Sequence, residues 1–298
     1  MSQYPKQATT FTSQIAILES RGVIISDHQK AMEILSDIGY YRLGFYLFPF
    51  EQTYPLLDRR RRHEVKPHTH FEDAVALYYY DFDLRNIIAK YLSRIEVAIR
   101  TTIIYELSNK YSTDPTWFVN PLVVSPSFIK DFPTEVYRKI AKKDVIKRHH
   151  KYHPGQAYAP AWKTMEYMVF GNLTTLYKSL LRTDDQLLIS RHFHINKATI
   201  FFNYIEAIRS VRNACAHGSV LYDIKTDTSV RKGPAGHFSP PESNRLRSAL
   251  AVIRYLLHTI STNRLYDMDK ELKEATLKLY GKCPSIRPLV EDRTGIIV

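Results

Sequence analysis

The stretch Leu84-Arg85-Asn86-Ile87-Ile88-Ala89-Lys90-Tyr91-Leu92-Ser93-Arg94-Ile95-Glu96-Val97-Ala98-Ile99-Arg100-Thr101-Thr102-Ile103 decides the fold class. Leu84, Ile88, Leu92, Ile95, Ile99 and Ile103 recur every three or four residues, which is the apolar stripe of a helix with one face turned to a core. The pattern extends from about Phe71 to Tyr111, and Asp114-Pro115 ends it. Glu96 and Arg100 stand four apart on one flank of this helix. As an exposed ion pair they contribute only ~0.3–0.5 kcal/mol.

On the N-terminal side, residues 1–12 are polar and read as mobile. A helix is expected over Gln14–Ser20. Ser26-Asp27-His28-Gln29 has the form of a capping box, with Ser26 as the cap, and opens a helix carrying Ala31, Ile34, Leu35 and Ile38. Gly39 stops it. The aromatic run Tyr40–Phe50 reads first as a packed subdomain and second as a base-stacking surface. Residues 51–70 read as a loop or arm holding Arg59-Arg60-Arg61-Arg62, a candidate phosphate contact.

On the C-terminal side, residues 113–157 form an excursion with a second basic run: Lys142, Lys143, Lys147, Arg148 and Lys151 against the single Asp144. A helical segment follows over about 160–181. Thr183-Asp184-Asp185-Gln186 is a further capping box, and Asn196 is placed to cap a helix from Lys197 to about His217. A Pro/Gly-rich loop spans roughly 223–241. The remaining helices are expected from near Ser243 and over Asp269–Leu279. No strand and no internal repeat is evident, so the expected architecture is all-α, a helical bundle. Its parts are 1–70, 71–222 and 223–298.

The most informative chemistry lies where the Lys197–His217 helix ends, in Ile205-Glu206-Ala207-Ile208-Arg209-Ser210-Val211-Arg212-Asn213-Ala214-Cys215-Ala216-His217-Gly218. Phe201, Tyr204, Ile208, Val211 and Cys215 fall on one side of an ideal helix, taken as the core face. Asn213 and His217 are four apart and share another side. Arg212 and His217 are five apart and lie ~140° from each other. They converge on one phosphate only if the last turn is distorted or a second copy of the helix supplies one of them. Histidine exchanges protons near neutrality, arginine matches phosphate oxygens, and asparagine orients a neighbour or donates to an oxyanion. RNA brings its own nucleophile, the 2′-hydroxyl, so this set suits RNA cleavage without a metal. The structural alternative is a helix-capping His217 beside Gly218 and an ion-paired Arg212.

Bulk properties agree with a polyanion partner. Lys and Arg total 42 against 30 Asp and Glu, a net charge of +12. No stretch has the ~18 apolar residues of a membrane span, and no signal peptide is seen at the N-terminus. Two cysteines, Cys215 and Cys283, are too few for a disulfide framework, which points to the cytoplasm. The histidine groups 149/150/153 and 192/194 lack acidic or Cys partners at ligand spacings, so no metal and no cofactor is expected.

Four blocks resemble abortive-infection proteins of the AbiD/AbiF type, in the HEPN superfamily. Arg212-Asn213-Ala214-Cys215-Ala216-His217 is similar to their RN-x-CAH motif. Leu18–Gly22 with Leu35–Tyr46 resembles their N-terminal signature, Asp83–Thr101 their second block, and Trp162–Leu176 their third. The residues after His217, Gly218-Ser219-Val220-Leu221-Tyr222, depart from the usual continuation. The resemblance implies a HEPN-type helical bundle with an N-terminal helical subdomain and a C-terminal extension. It implies a metal-independent endoribonuclease in anti-phage defence, active as a homodimer, with Arg212 and His217 as catalytic pair and Asn213, Glu96 and Arg100 in support. RNA is the expected partner, as substrate or as a small bound structured RNA. A non-catalytic protein that grips a partner RNA is the alternative.

Overall fold

The computed structural model describes residues 7–57 and 59–298 and is all-α. Among the described residues there is no strand, only isolated bridges. The helices are α1 (Phe11–Ser20), α2 (His28–Ile38), α3 (Tyr40–Leu47), α4 (Phe71–Lys110), α5 (Pro126–Asp131), α6 (Arg138–Ile140), α7 (Asp144–Tyr152), α8 (Ala161–Thr164), α9 (Phe170–Ser179), α10 (Thr183–His192), α11 (Ala198–Ala216), α12 (Leu246–Ile260), α13 (Thr262–Lys282) and α14 (Arg287–Thr294). A π-helical turn, Phe132–Tyr137, joins α5 to α6. The chain forms two compact units. One contains the described part of Met1–Leu84 with Lys273–Leu289 and Val298; the other contains Arg85–Leu272 with Val290–Ile297.

In the first unit α1 packs on α2 and α2 on α3. Thr10 caps α1 through its side chain, which accepts from the Ser13 N–H at 3.2 Å. Asp27, not Ser26, caps α2, accepting from the Lys30 N–H at 2.9 Å. A carboxylate at this position satisfies an orphan donor and also meets the positive end of the helix dipole. The aromatic run forms α3 and a 3₁₀ turn, Phe48–Phe50. Tyr46 is fully buried and donates its hydroxyl to buried Asp81 on α4 at 2.9 Å, so the structural reading of this run holds for its inner face. α4 begins with Asp73 reaching back to the His70 N–H at 2.8 Å.

In the second unit α11 is the central helix, packing against α9, α10 and α12. Phe201, Tyr204, Ile208 and Val211 are buried, as their spacing requires. Cys215, expected on that core face, is only partly buried. Two capping expectations fail here. Asn196 does not cap α11; Lys197 takes that place without a side-chain bond. The Thr183–Gln186 box does not form either: Arg182 takes the cap position, and Gln186 Nε2 donates to the Tyr177 and Leu180 carbonyls at 3.3 Å. Asp185, between them, is drawn elsewhere. It is fully buried and takes Lys110 Nζ at 2.5 Å and the Tyr111 hydroxyl at 2.7 Å. Burial and then the bond to Asp185 push the Tyr111 hydroxyl up to about 12. The expected 160–181 helix is broken: Met168 and Val169 are extended between a 3₁₀ turn and α9. α13, Thr262–Lys282, is far longer than the expected Asp269–Leu279; buried Met268, just before the expected start, carries the stripe of Leu272 and Leu279 towards its N-terminus. No helix of the described residues is long and apolar enough to cross a membrane.

Candidate functional site

α11 ends in a regular Schellman closure. The His217 N–H still donates to the Asn213 carbonyl at 3.0 Å, as in any helical turn. The Gly218 N–H then reaches the Cys215 carbonyl at 3.4 Å, and the Ser219 N–H reaches back to Ala214 at 3.0 Å. This closure requires the left-handed backbone that Gly218 adopts at φ +64°, and a Cβ there brings strain. Helical bonding thus persists to the His217 N–H, with His217 itself the cap at φ −95°, ψ 5°, and helical geometry up to that point sets Arg212 and His217 ~140° apart. His217 is exposed, and its ring has no partner among the described residues.

The second element is α4. Glu96 and Arg100 are not a free surface pair: their side chains retain only 17% and 12% exposure. Arg100 Nη2 donates to Glu96 Oε1 at 3.0 Å and to the Met168 carbonyl at 2.9 Å. The other carboxylate oxygen, Glu96 Oε2, faces Arg212 Nε at 3.8 Å, an ion-pair distance beyond hydrogen-bond range. Arg212 Nη1 makes a long contact with Asn213 Oδ1 at 3.4 Å. Arg212, Asn213, Glu96 and Arg100 thus form one cluster. The break at Met168–Val169 earns its place in it, because an uninterrupted helix would have spent the Met168 carbonyl on its own ladder.

The charges in this cluster sum to a cation. Two guanidinium groups stand against one carboxylate, before His217 is counted. A helix C-terminus carries a partial negative charge that repels phosphate. The surplus arginine charge offsets it. Arg212 keeps 42% of its side-chain surface open, so its donor fork is available to a phosphate.

The other sequence candidates divide. Arg61 is committed to structure: it binds Glu51 through two contacts of 2.7 Å and lies 4.6 Å over the Phe48 ring. Arg61, expected as a phosphate contact, is thus also held by a buried carboxylate ten residues earlier in the chain. Arg59, Arg60 and Arg62 lie exposed beside it. Lys142, Lys143, Lys147, Arg148 and Lys151 are all exposed around α7, with only a long Lys147–Asp144 contact of 3.5 Å and Lys143 5.8 Å from the Tyr167 ring. His149 is buried on the inner side of α7, and its ring lies against His153 with centroids 4.7 Å apart. Burial, then Lys163 and His153, hold its pKa below the usual imidazole value. Among the described residues no group of three His, Cys, Asp or Glu side chains is placed to hold a metal.

One family model matches this chain, described as Abi-like protein, over residues 33–223. The match contains α4, the Met168 break and the whole of α11. No curated protein and no solved structure matches the chain.

Proposed function

The chain belongs to the Abi-like protein family, and from that premise we propose that it is a metal-independent endoribonuclease of the HEPN type acting in abortive-infection defence. The observation that carries the reading is the Arg212–Asn213–Glu96–Arg100 cluster, with the exposed His217 one turn beyond Asn213 on the same helix. A partly open guanidinium, held in place by a carboxylate but not consumed by it, suits a phosphodiester. An exposed histidine, brought to it by a second chain, supplies the proton transfer that RNA self-attack requires.

In the proposed reaction a general base takes the proton of the 2′-hydroxyl. The 2′-oxygen forms a bond to phosphorus as the bond from phosphorus to the 5′-oxygen breaks. A general acid returns a proton to that leaving oxygen. The products are a 2′,3′-cyclic phosphate and a 5′-hydroxyl. Arg212 holds the non-bridging oxygens, Asn213 donates to the developing charge, and Glu96 with Arg100 positions Arg212. Helical geometry at the end of α11 turns Arg212 and His217 ~140° apart. The complete site is therefore assigned to two chains, each supplying what the other's helix turns away. The exposed cations around α7 hold the RNA strand.

The test is RNA cleavage in EDTA by wild type, His217→Ala and Arg212→Ala. The reading expects wild type to cut without divalent metal and both variants to fail. Salt-sensitive RNA binding with no cleavage would instead favour a protein that only grips its RNA.

A further inference from the structure

The loop at 223–241 has no part in the reaction above, and it lies almost wholly beyond the family match, which ends at residue 223. It is nevertheless clamped to α11. Buried Asn203 donates Nδ2 to the Ser229 carbonyl at 2.9 Å and accepts the Arg231 N–H at 2.8 Å. The Tyr204 hydroxyl accepts the Ala235 N–H at 3.1 Å. Gly233 crosses so closely that a Cβ there would stand 2.6 Å from the Tyr204 hydroxyl oxygen. Two consecutive side chains of α11 thus read the loop's backbone and hold it as a wall.

Between this wall, α9 and α11 lies an open cavity of about 400 Å³. Its aromatic surface is Phe202, whose ring is parallel to that of buried Tyr177 (10° between planes, centroids 6.5 Å apart). Lys178 Nζ sits 5.7 Å from the Phe202 ring centroid, and Arg231 is exposed at the loop side. The Glu206 carboxylate also lines the cavity, fixed by two 2.9 Å bonds from Arg209. On an ideal helix Phe202, Glu206, Asn213 and His217 fall within ~60° of one another. One stripe of α11 therefore leads from the cavity to the imidazole, with about 16 Å of helix axis between Phe202 and Asn213.

A half-buried ring in an open cavity lined by the cations Lys178 and Arg231, on that stripe, has the chemistry of a single-strand subsite. We propose that this cavity binds one unpaired nucleotide of the RNA strand whose phosphate lies at His217. The base stacks on Phe202 and the adjoining phosphates meet Lys178 and Arg231. This rests on the reading of α11 as part of a ribonuclease site. It assigns the loop as a determinant of which RNA that site accepts.

The test is the affinity of the full-length protein for a short unstructured 2′-O-methyl RNA, which lacks the attacking hydroxyl, measured in EDTA as a function of salt, beside free nucleoside monophosphates. Phe202→Ala weakens the RNA complex by roughly 5- to 150-fold, the span of a lost base stack, and Phe202→Tyr restores it. Arg231→Ala and Lys178→Ala each reduce the log–log salt slope by roughly 0.7, one phosphate contact on a single strand. The proposal is overturned if folded Phe202→Ala binds like wild type. It is equally overturned if a mononucleotide binds as tightly as the RNA, because the cavity is then an effector pocket. Should Phe202→Ala fail to fold, the exposed rim decides: unchanged salt slopes in both rim variants overturn the proposal. Cleavage separates this from the broader reading. Binding that depends on Phe202 in a protein that never cuts RNA leaves the subsite standing and removes the ribonuclease. Cleavage that needs His217, with binding indifferent to Phe202, does the reverse.

Discussion

Arg61 and Arg212 each face a glutamate, and the two pairs are built differently. Glu51 keeps 5% of its side chain exposed and meets Arg61 in two contacts of 2.7 Å. Glu96 keeps 17%, divides its oxygens between Arg100 and Arg212, and stands 3.8 Å from the latter. In the first pair the desolvated carboxylate needs its arginine, which is held in two short bonds by it. In the second, Arg100 already satisfies the carboxylate, and Arg212 is left steered but open. Both arginines were equally plausible phosphate ligands by residue type. What separates them is whether the carboxylate has another partner.

The comparison breaks most visibly in cleavage. Removing the His217 imidazole in His217→Ala lowers the rate of RNA cleavage by about 10²–10⁴-fold, the usual worth of a positioned acid or base. The thermal midpoint stays near that of wild type, because the ring is exposed and makes no hydrogen bond or ion pair among the described residues. Arg61→Ala does the opposite. It leaves the Glu51 charge buried beside His63 alone and costs about 2–3 kcal/mol in denaturant unfolding, with cleavage per folded molecule unchanged. A stability loss in His217→Ala, or a cleavage loss in folded Arg61→Ala, reverses the assignments.

Glu96→Gln sharpens the contrast on a smaller scale. It keeps the shape but releases Arg212, and the account expects a cleavage loss of about tenfold, roughly 1.4 kcal/mol, carried by the chemical step and not by RNA affinity. The smallest effect concerns acid. The pKa of His149 is held below its ordinary 6.5 by burial and by Lys163 and His153, so the unfolded chain binds the extra proton. Its contribution to stability is complete above pH 6.5 and is lost as the pH falls through the lower folded value. Thermal midpoints recorded from pH 8 to 5 fall for wild type and fall less for His149→Leu.

Much of this was legible in the sequence because helices announce themselves by period. The stripe from Leu84 to Ile103 and the set Phe201, Tyr204, Ile208 and Val211 gave α4 and α11 with their buried faces, and Arg212, Asn213 and His217 were visible as a group. Caps were less legible, since Ser26 and Asp27 are both good caps and only geometry chooses between them. Long-range contacts were not legible at all. Asp185 reads locally as an acidic residue of a helix's first turn, but Lys110 and Tyr111, more than seventy positions away, claim it. The Glu96–Arg212 contact, the Met168 carbonyl and the Asn203 clamp on the 223–241 loop belong to the same class. Each joins residues that no local pattern connects.

The central claim is that Arg212 and His217 act together across two chains to cut RNA without a metal. It is tested most directly by co-expressing Arg212→Ala with His217→Ala and assaying the purified mixture on RNA in EDTA. Each variant alone is expected to be inactive. The mixed assembly retains one intact pairing, Arg212 from one chain with His217 from the other, and is expected to recover cleavage with a 2′,3′-cyclic phosphate product. A mixed assembly as inactive as its two parents, beside an active wild type, would contradict the account.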